Sequence, residues 1–153
     1  MAALFVVATM SIAMVAPASA SGCKVITNPG QASLSYWTAP YPDGRTFLMG
    51  FSGTLYTGDS SSACNDINMA YMSNSGFCTD TGVTDVVVQY LSGGVWHTDS
   101  QGVTEVYCNS PTLRVIGAGY ANNTPFRVLI NRYEHIDDSG IPEYAWPTFK
   151  LYV

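Results

Sequence analysis

Apolar and polar positions alternate along much of the chain with a period of two, the pattern of strands that turn one face to a core. In 46–57 (TFLMGFSGTLYT), Phe47, Met49, Phe51 and Leu55 fall on one side and Leu48, Ser52, Thr54 and Tyr56 on the other. Gly50 and Gly53 inside this run predict a bulge or a bend. Residues 31–38 set Ala32, Leu34 and Tyr36 against Ser33, Ser35 and Trp37, and Pro40, Pro42, Asp43 and Gly44 then predict a connecting turn. The strongest local unit is 83–98: Val86, Val88 and Tyr90 alternate with Val87, Gln89 and Leu91, and Ser92-Gly93-Gly94 supplies the positive φ values of a tight hairpin. Further strands are expected at 103–108, 112–118, 125–133 and 144–152, separated by turn clusters at 99–102, 109–111, 122–125 and 137–142. Pro147 cannot donate to a ladder, so it predicts an edge strand or a bulge for the last segment.

One stretch departs from the alternation. In 61–73, Cys64, Ile67 and Tyr71 stand at helical spacing, Ser61 or Ser62 can cap the start, and 74–76 can stop the run. A short helix is expected there. Short strands at regular spacing with Gly, Pro, Asn and Asp turns otherwise imply an all-β antiparallel domain. A β-sandwich of seven to nine strands, Ig-like or jelly-roll-like, is the first expectation, and a closed β-barrel is the alternative.

The start of the chain changes the picture of where it works. Residues 2–17 are apolar, and Ala18-Ser19-Ala20 fits the small-residue pattern before signal-peptidase cleavage, although no Lys or Arg precedes the run. The run is about 16 residues long, short of the roughly 20 needed to span a bilayer. The expected organisation is a secretory signal peptide at 1–20 and a single disulfide-stapled β domain at 21–153, monomeric and free of the membrane once cleaved. Cys23, Cys64, Cys78 and Cys108 all lie in the second part, and an even count in an exported chain reads as two disulfides. Loop entropy does not separate Cys64–Cys78 with Cys23–Cys108 from the sequential alternative, Cys23–Cys64 with Cys78–Cys108, and local geometry slightly favours the first. A lipidated Cys23 is a lesser alternative that would leave an odd cysteine.

Composition narrows the chemistry. Six Lys and Arg against 11 Asp and Glu give a net charge of −5, and so few scattered basic residues argue against nucleic acid as a partner. Gly58-Asp59-Ser60 resembles the nucleophile segment of the GDSL-type hydrolases, which implies an esterase serine at Ser60. The likeness covers these three residues. That family's companion Asp-x-x-His is missing, because Arg132 stands three positions before His135 and Gly94 three before His97. A serine nucleophile needs a positioned base, so a small hydrolase using Ser60 stays a remote alternative. Residues 134–138 (EHIDD) gather four potential metal ligands, but neighbours on an extended chain point opposite ways and cannot converge. No metal or cofactor is expected.

Aromatic residues are the remaining enrichment: three Trp, ten Tyr and six Phe. Tyr36, Trp37 and Tyr41 cluster before the first turn, and Tyr144, Trp146 and Tyr152 near the end. Trp37, Tyr41, Tyr144 and Trp146 are the ligand-binding candidates, with the two tryptophans on the polar register of their strands. Exposed rings on a rigid sheet stack on sugar faces or anchor a protein partner. The expectation is a secreted, non-catalytic binding domain for a carbohydrate or cell-surface ligand. The alternative is an inhibitor or toxin-like effector that inserts a disulfide-anchored loop, 57–63 or 73–82, into an extracellular protein. Asn122-Asn123-Thr124 is a glycosylation sequon in a eukaryotic secretory host.

Overall fold

The computed structural model describes residues 23–39, 44, 46–58, 64–73, 83–107, 112–131, 135–136, 142–143 and 146–153. Twelve strands are present among them: β1 (Val25–Thr27), β2 (Gln31–Thr38), β3 (Thr46–Ser52), β4 (Leu55–Tyr56), β5 (Ile67–Ser73), β6 (Val83–Ser92), β7 (Val95–Tyr107), β8 (Arg114–Gly117), β9 (Pro125–Asn131), β10 (His135–Ile136), β11 (Pro142–Glu143) and β12 (Thr148–Tyr152). The count exceeds seven to nine because β1, β4, β10 and β11 have only two or three residues, too few for periodicity to register.

Two antiparallel sheets pack into a sandwich. The larger has six strands in the order β2-β3-β9-β6-β7, with β4 also on β9, and the smaller has four in the order β1-β12-β5-β8. β10 and β11 form a separate two-stranded ribbon. Neither large sheet closes on itself, so the barrel alternative is excluded.

Alternation decides what the sheets bury. Val86, Val88, Val106, Phe126, Val128 and Ile130 from the larger sheet meet Ile67, Met69, Ile116, Phe149 and Leu151 from the smaller in one core, every one of them at most 2% exposed. The intervening residues of the larger sheet make a second apolar cluster on its other face, from Met49, Phe51, Val87 and Leu129. There Arg127 lies between the Phe51 and Trp96 rings, 4.8 and 4.4 Å from their centroids, and donates from Nε and Nη2 to Gln89 Oε1 at 2.9 and 2.6 Å.

The expected hairpin joins β6 to β7 through Gly93 and Gly94, at φ of 58° and 80°, the two positive values of the turn type that matches strand twist. The expected break in 46–57 falls at Gly53 and Thr54, between β3 and β4. Gly50 serves another purpose: a Cβ there would lie 2.7 Å from the Trp146 ring, so glycine lets the indole close over β3.

Three expectations are corrected. The helix at 61–73 is absent: residues 64–66 bend and Ile67–Ser73 is a strand, paired with β12 and β8. Ile67 and Met69 face the core at 0% exposure, the period-two placement of a strand, whereas residues two apart on a helix turn away from one another. The preferred pairing fails with it. Cys23 is joined to Cys64, with Cα atoms 5.4 Å apart, and a thiol so engaged carries no lipid. An extended 67–73 carries the chain about 20 Å from the bend at 64–66, against roughly 13 Å for the expected helix, so the local geometry that favoured Cys64–Cys78 is lost. The bridge instead ties the approach to β1 to the approach to β5, the two neighbours of β12. Cys78 and Cys108 lie outside the described residues. Finally, Pro147 precedes β12, which sits inside its sheet between β1 and β5 and not at an edge, while the alternative of a bulge agrees with the register shift between Thr148 and Lys150 in its pairing with β5.

Candidate functional site

An open cleft of about 560 Å³ lies where the ends of β6 and β7 meet the 118–125 segment. Its size falls in the range of small-molecule sites, and two local irregularities build it. β6 and β7 lose register between Val87 and Gln89: Val87 faces Val103, but Gln89 faces Thr98, so 99–102 bulge from β7. Gly102, at φ 63°, permits the bend, and the Gln101 amide donates to Asp99 Oδ1 at 2.8 Å. This turns the Asp99 carboxylate inward, where it is 5% exposed.

The second irregularity follows β8. Gly119, at φ 77°, turns the chain back, and the Tyr120 ring folds over Gly117, where a Cβ would be 3.0 Å from it. Tyr120 Oη then donates a short hydrogen bond to Asp99 Oδ2. Burial raises the Tyr120 pKa far above the ordinary tyrosine value, and the hydrogen bond and charge of Asp99 raise it further. The phenol therefore keeps its proton and acts as a donor. Its ring meets Tyr90 edge-on at 5.7 Å, and Tyr90 stacks on His97, its partner across the hairpin, at 5.5 Å.

The rim is fixed to both sheets. The Tyr120 amide donates to the Asn65 carbonyl at 2.8 Å and the Gly119 amide to Asp66 Oδ1 at 3.2 Å, so the wall hangs on the bend that follows Cys64. Further along, Thr57 Oγ1 donates to the Ala121 carbonyl at 2.7 Å and accepts from the Thr124 amide at 2.9 Å. Asn123, at φ 53°, sits at the tip of this turn, a left-handed position that asparagine tolerates. Ser92, Ser100, Asn122 and Asn123 add hydroxyl and amide groups to the lining. The cleft is thus lined by the half-buried Tyr90, by the buried Tyr120 and by a rim of hydrogen-bond donors and acceptors. Among the described residues no group of three or more His, Cys, Asp or Glu is placed to hold a metal ion.

The aromatic candidates lie elsewhere. Trp37 is half-buried beside Phe47, at 6.4 Å, on the second apolar cluster. Trp146 is half-buried on the opposite face, over Gly50 and edge-on to Phe149 at 5.8 Å, with Nε1 donating to the Pro29 carbonyl at 2.6 Å. The two tryptophans therefore do not form one platform. Tyr41, Tyr144 and Ser60 lie outside the described residues, as does most of both loops, 57–63 and 73–82. Sequence reasoning missed Tyr90, Asp99 and Tyr120 as site residues. The available signal was that 99–102 and 119–124, two gaps between the expected strands, carry glycines beside a carboxylate and a tyrosine. No protein-family model matches the chain, and no curated protein matches its sequence.

Proposed function

We propose that this chain is a secreted, non-catalytic binding domain whose cleft takes a carbohydrate. The observation that supports this reading is the cleft itself, where the Tyr90 and Tyr120 rings are surrounded by hydroxyl, amide and carboxylate groups on a wall tied to both sheets. Aromatic rings stack on the apolar C–H face of a pyranose, while the polar rim exchanges hydrogen bonds with its hydroxyls. The Asp99–Tyr120 hydrogen bond fixes these two lining residues before a ligand arrives, which lowers the ordering cost of binding. Export is part of the reading. The Cys23–Cys64 bridge suits an oxidising compartment, and the apolar 2–17 with Ala18-Ser19-Ala20 is the segment to be removed.

The test is a glycan array followed by calorimetry on whichever saccharide is retained. Tyr90→Ala weakens that binding by about tenfold, the loss of one stacked ring, and Tyr36→Ala, a ring outside the cleft, leaves it unchanged. Retention of no glycan, or equal affinity of the Tyr90→Ala variant, contradicts the proposal. Mass spectrometry of the exported protein checks the leader, with Ser21 expected at the new amino terminus.

A further inference from the structure

The edges of the two large sheets are not alike. A sheet edge carries unpaired backbone donors and acceptors, and proteins blunt it with short strands, charges, proline or bulges. β1 and β8 are short, with three and four residues, and each has a basic residue on it or beside it, Arg114 in β8 and Lys24 before β1. β7 is long, but it bulges at 99–102, holds Glu105 and packs against β8. β2 is the exception. It has eight residues (QASLSYWT) with no charge and no proline, and the one irregularity in its pairing with β3 falls before Ser33. From Gln31 to Tyr36 every residue is exposed, including Leu34 at 41% and Tyr36 at 74%. Among the described residues no strand pairs with its outer edge.

From this edge we infer that two copies of the chain associate by antiparallel pairing of β2 with β2 about a two-fold axis. Three observations select a second copy as the occupant. Antiparallel partners share a face, so a two-fold centred on Ser35 sets Leu34 opposite Tyr36 twice on one face and Ser33 opposite Trp37 twice on the other. Centring on Leu34 sets Leu34 against itself and Ala32 against Tyr36, so either register matches apolar with apolar on the Ala32, Leu34 and Tyr36 face. The strand is uncharged in a chain of net charge −5, so it is a stretch where two copies meet without opposing like charges, and it offers a charged segment of another protein no ion pair. The exposed Leu34 and Tyr36 lie on the strand itself, so the groups that need cover and the groups that need hydrogen bonds are met by one and the same surface. The cleft stands on other strands and takes no part in this contact.

Sedimentation equilibrium of the purified protein tests it. The wild type is expected to show a concentration-dependent monomer–dimer equilibrium. The Leu34→Lys/Tyr36→Lys double variant puts like charges opposite one another in both registers and weakens dimerisation by about tenfold or more. Leu34→Glu/Tyr36→Glu does the same, and mixing the two variants restores a dimer that contains one copy of each. Circular dichroism of each variant reports whether the fold is intact, and the mixture recovers a dimer only from folded chains. A wild type that is monomeric at every concentration overturns the inference, as does a dimer that survives the lysine substitutions. A monomer that instead captures an added uncharged extended peptide assigns the edge to a different partner, and equally overturns self-pairing.

Discussion

Asp99 and Tyr120 are 21 positions apart in the chain, and each satisfies the other where water is scarce. Removing one member of a buried hydrogen bond leaves its partner unsatisfied, at a cost of about 1–3 kcal/mol. Tyr120→Phe should lower the unfolding free energy by that amount near neutral pH, as read by urea titration. The pH dependence has a definite sign. The folded state holds the Tyr120 proton more tightly than the unfolded chain, whose tyrosine releases it near about pH 10. Above that pH the unfolded state binds fewer protons, so the wild type loses up to about 1.4 kcal/mol of stability per pH unit through this group. The contribution is complete below the unfolded pKa and drains away as pH climbs above it. The wild type and Tyr120→Phe should therefore converge between about pH 10 and about pH 11, and a gap that stays constant there would refute the assignment. Arg127 tests a different interaction. Its guanidinium needs planarity to lie between Phe51 and Trp96 while donating twice to Gln89. Arg127→Lys keeps the charge and loses the fork, so it should cost about 1–3 kcal/mol. A lysine variant as stable as wild type would show that charge alone suffices.

At the scale of elements, glycine marks where backbones or rings come too close for a side chain. A Cβ on Gly58 would lie 2.4 Å from the Val153 carbonyl oxygen, beside the reciprocal backbone bonds between Lys24 and Val153, both 2.9 Å. Backbone does not yield as a flexible side chain does, so Gly58→Ala should destabilise by about 1–3 kcal/mol. Gly53, with open space around it and no positive φ, should accept alanine with little loss. Equal stabilities of the two variants by thermal unfolding would contradict this reading. Legibility in the sequence follows the same geometry. The β6–β7 hairpin and the Phe47, Met49 and Phe51 face of β3 were readable because alternation and Gly-Gly are local signals, whereas β2 reverses its expected faces: Leu34 and Tyr36 are exposed and Trp37 is half-buried against the second apolar cluster. β5 was misread because Ile67, Met69 and Tyr71 satisfy period two while Cys64, Ile67 and Tyr71 satisfy a helix, and its place between β12 and β8 decides the matter. The cleft was illegible for a related reason: Asp99 and Tyr120 looked like residues of two separate turns, and only the bulge in β7 and the reversal at Gly119 bring them together.

For the whole molecule, the Cys23–Cys64 bridge links stability to the site. It closes a loop with a sequence separation of 41, and the loss of that constraint is worth about 4 kcal/mol on the chain-entropy account. The bend after Cys64 also receives the hydrogen bonds of Gly119 and Tyr120, so the anchored segment is a wall of the cleft. A Cys23→Ser/Cys64→Ser variant should lose stability by that order in urea titration. It should also show faster amide exchange at Gly119 and Tyr120 than at Val128 in the core, and equal protection at these positions would separate the bridge from the cleft. The cleft at the ends of β6 and β7 is the proposed saccharide site. The most direct measurement is an amide chemical-shift titration of the isotopically labelled protein with a panel of neutral hexoses, N-acetylhexosamines and their disaccharides. Saturable shifts confined to Tyr90 to Ser92, Asp99, Ser100 and 118–124 are expected for at least one sugar. Shifts centred on any other surface, or none with the whole panel, would contradict this assignment.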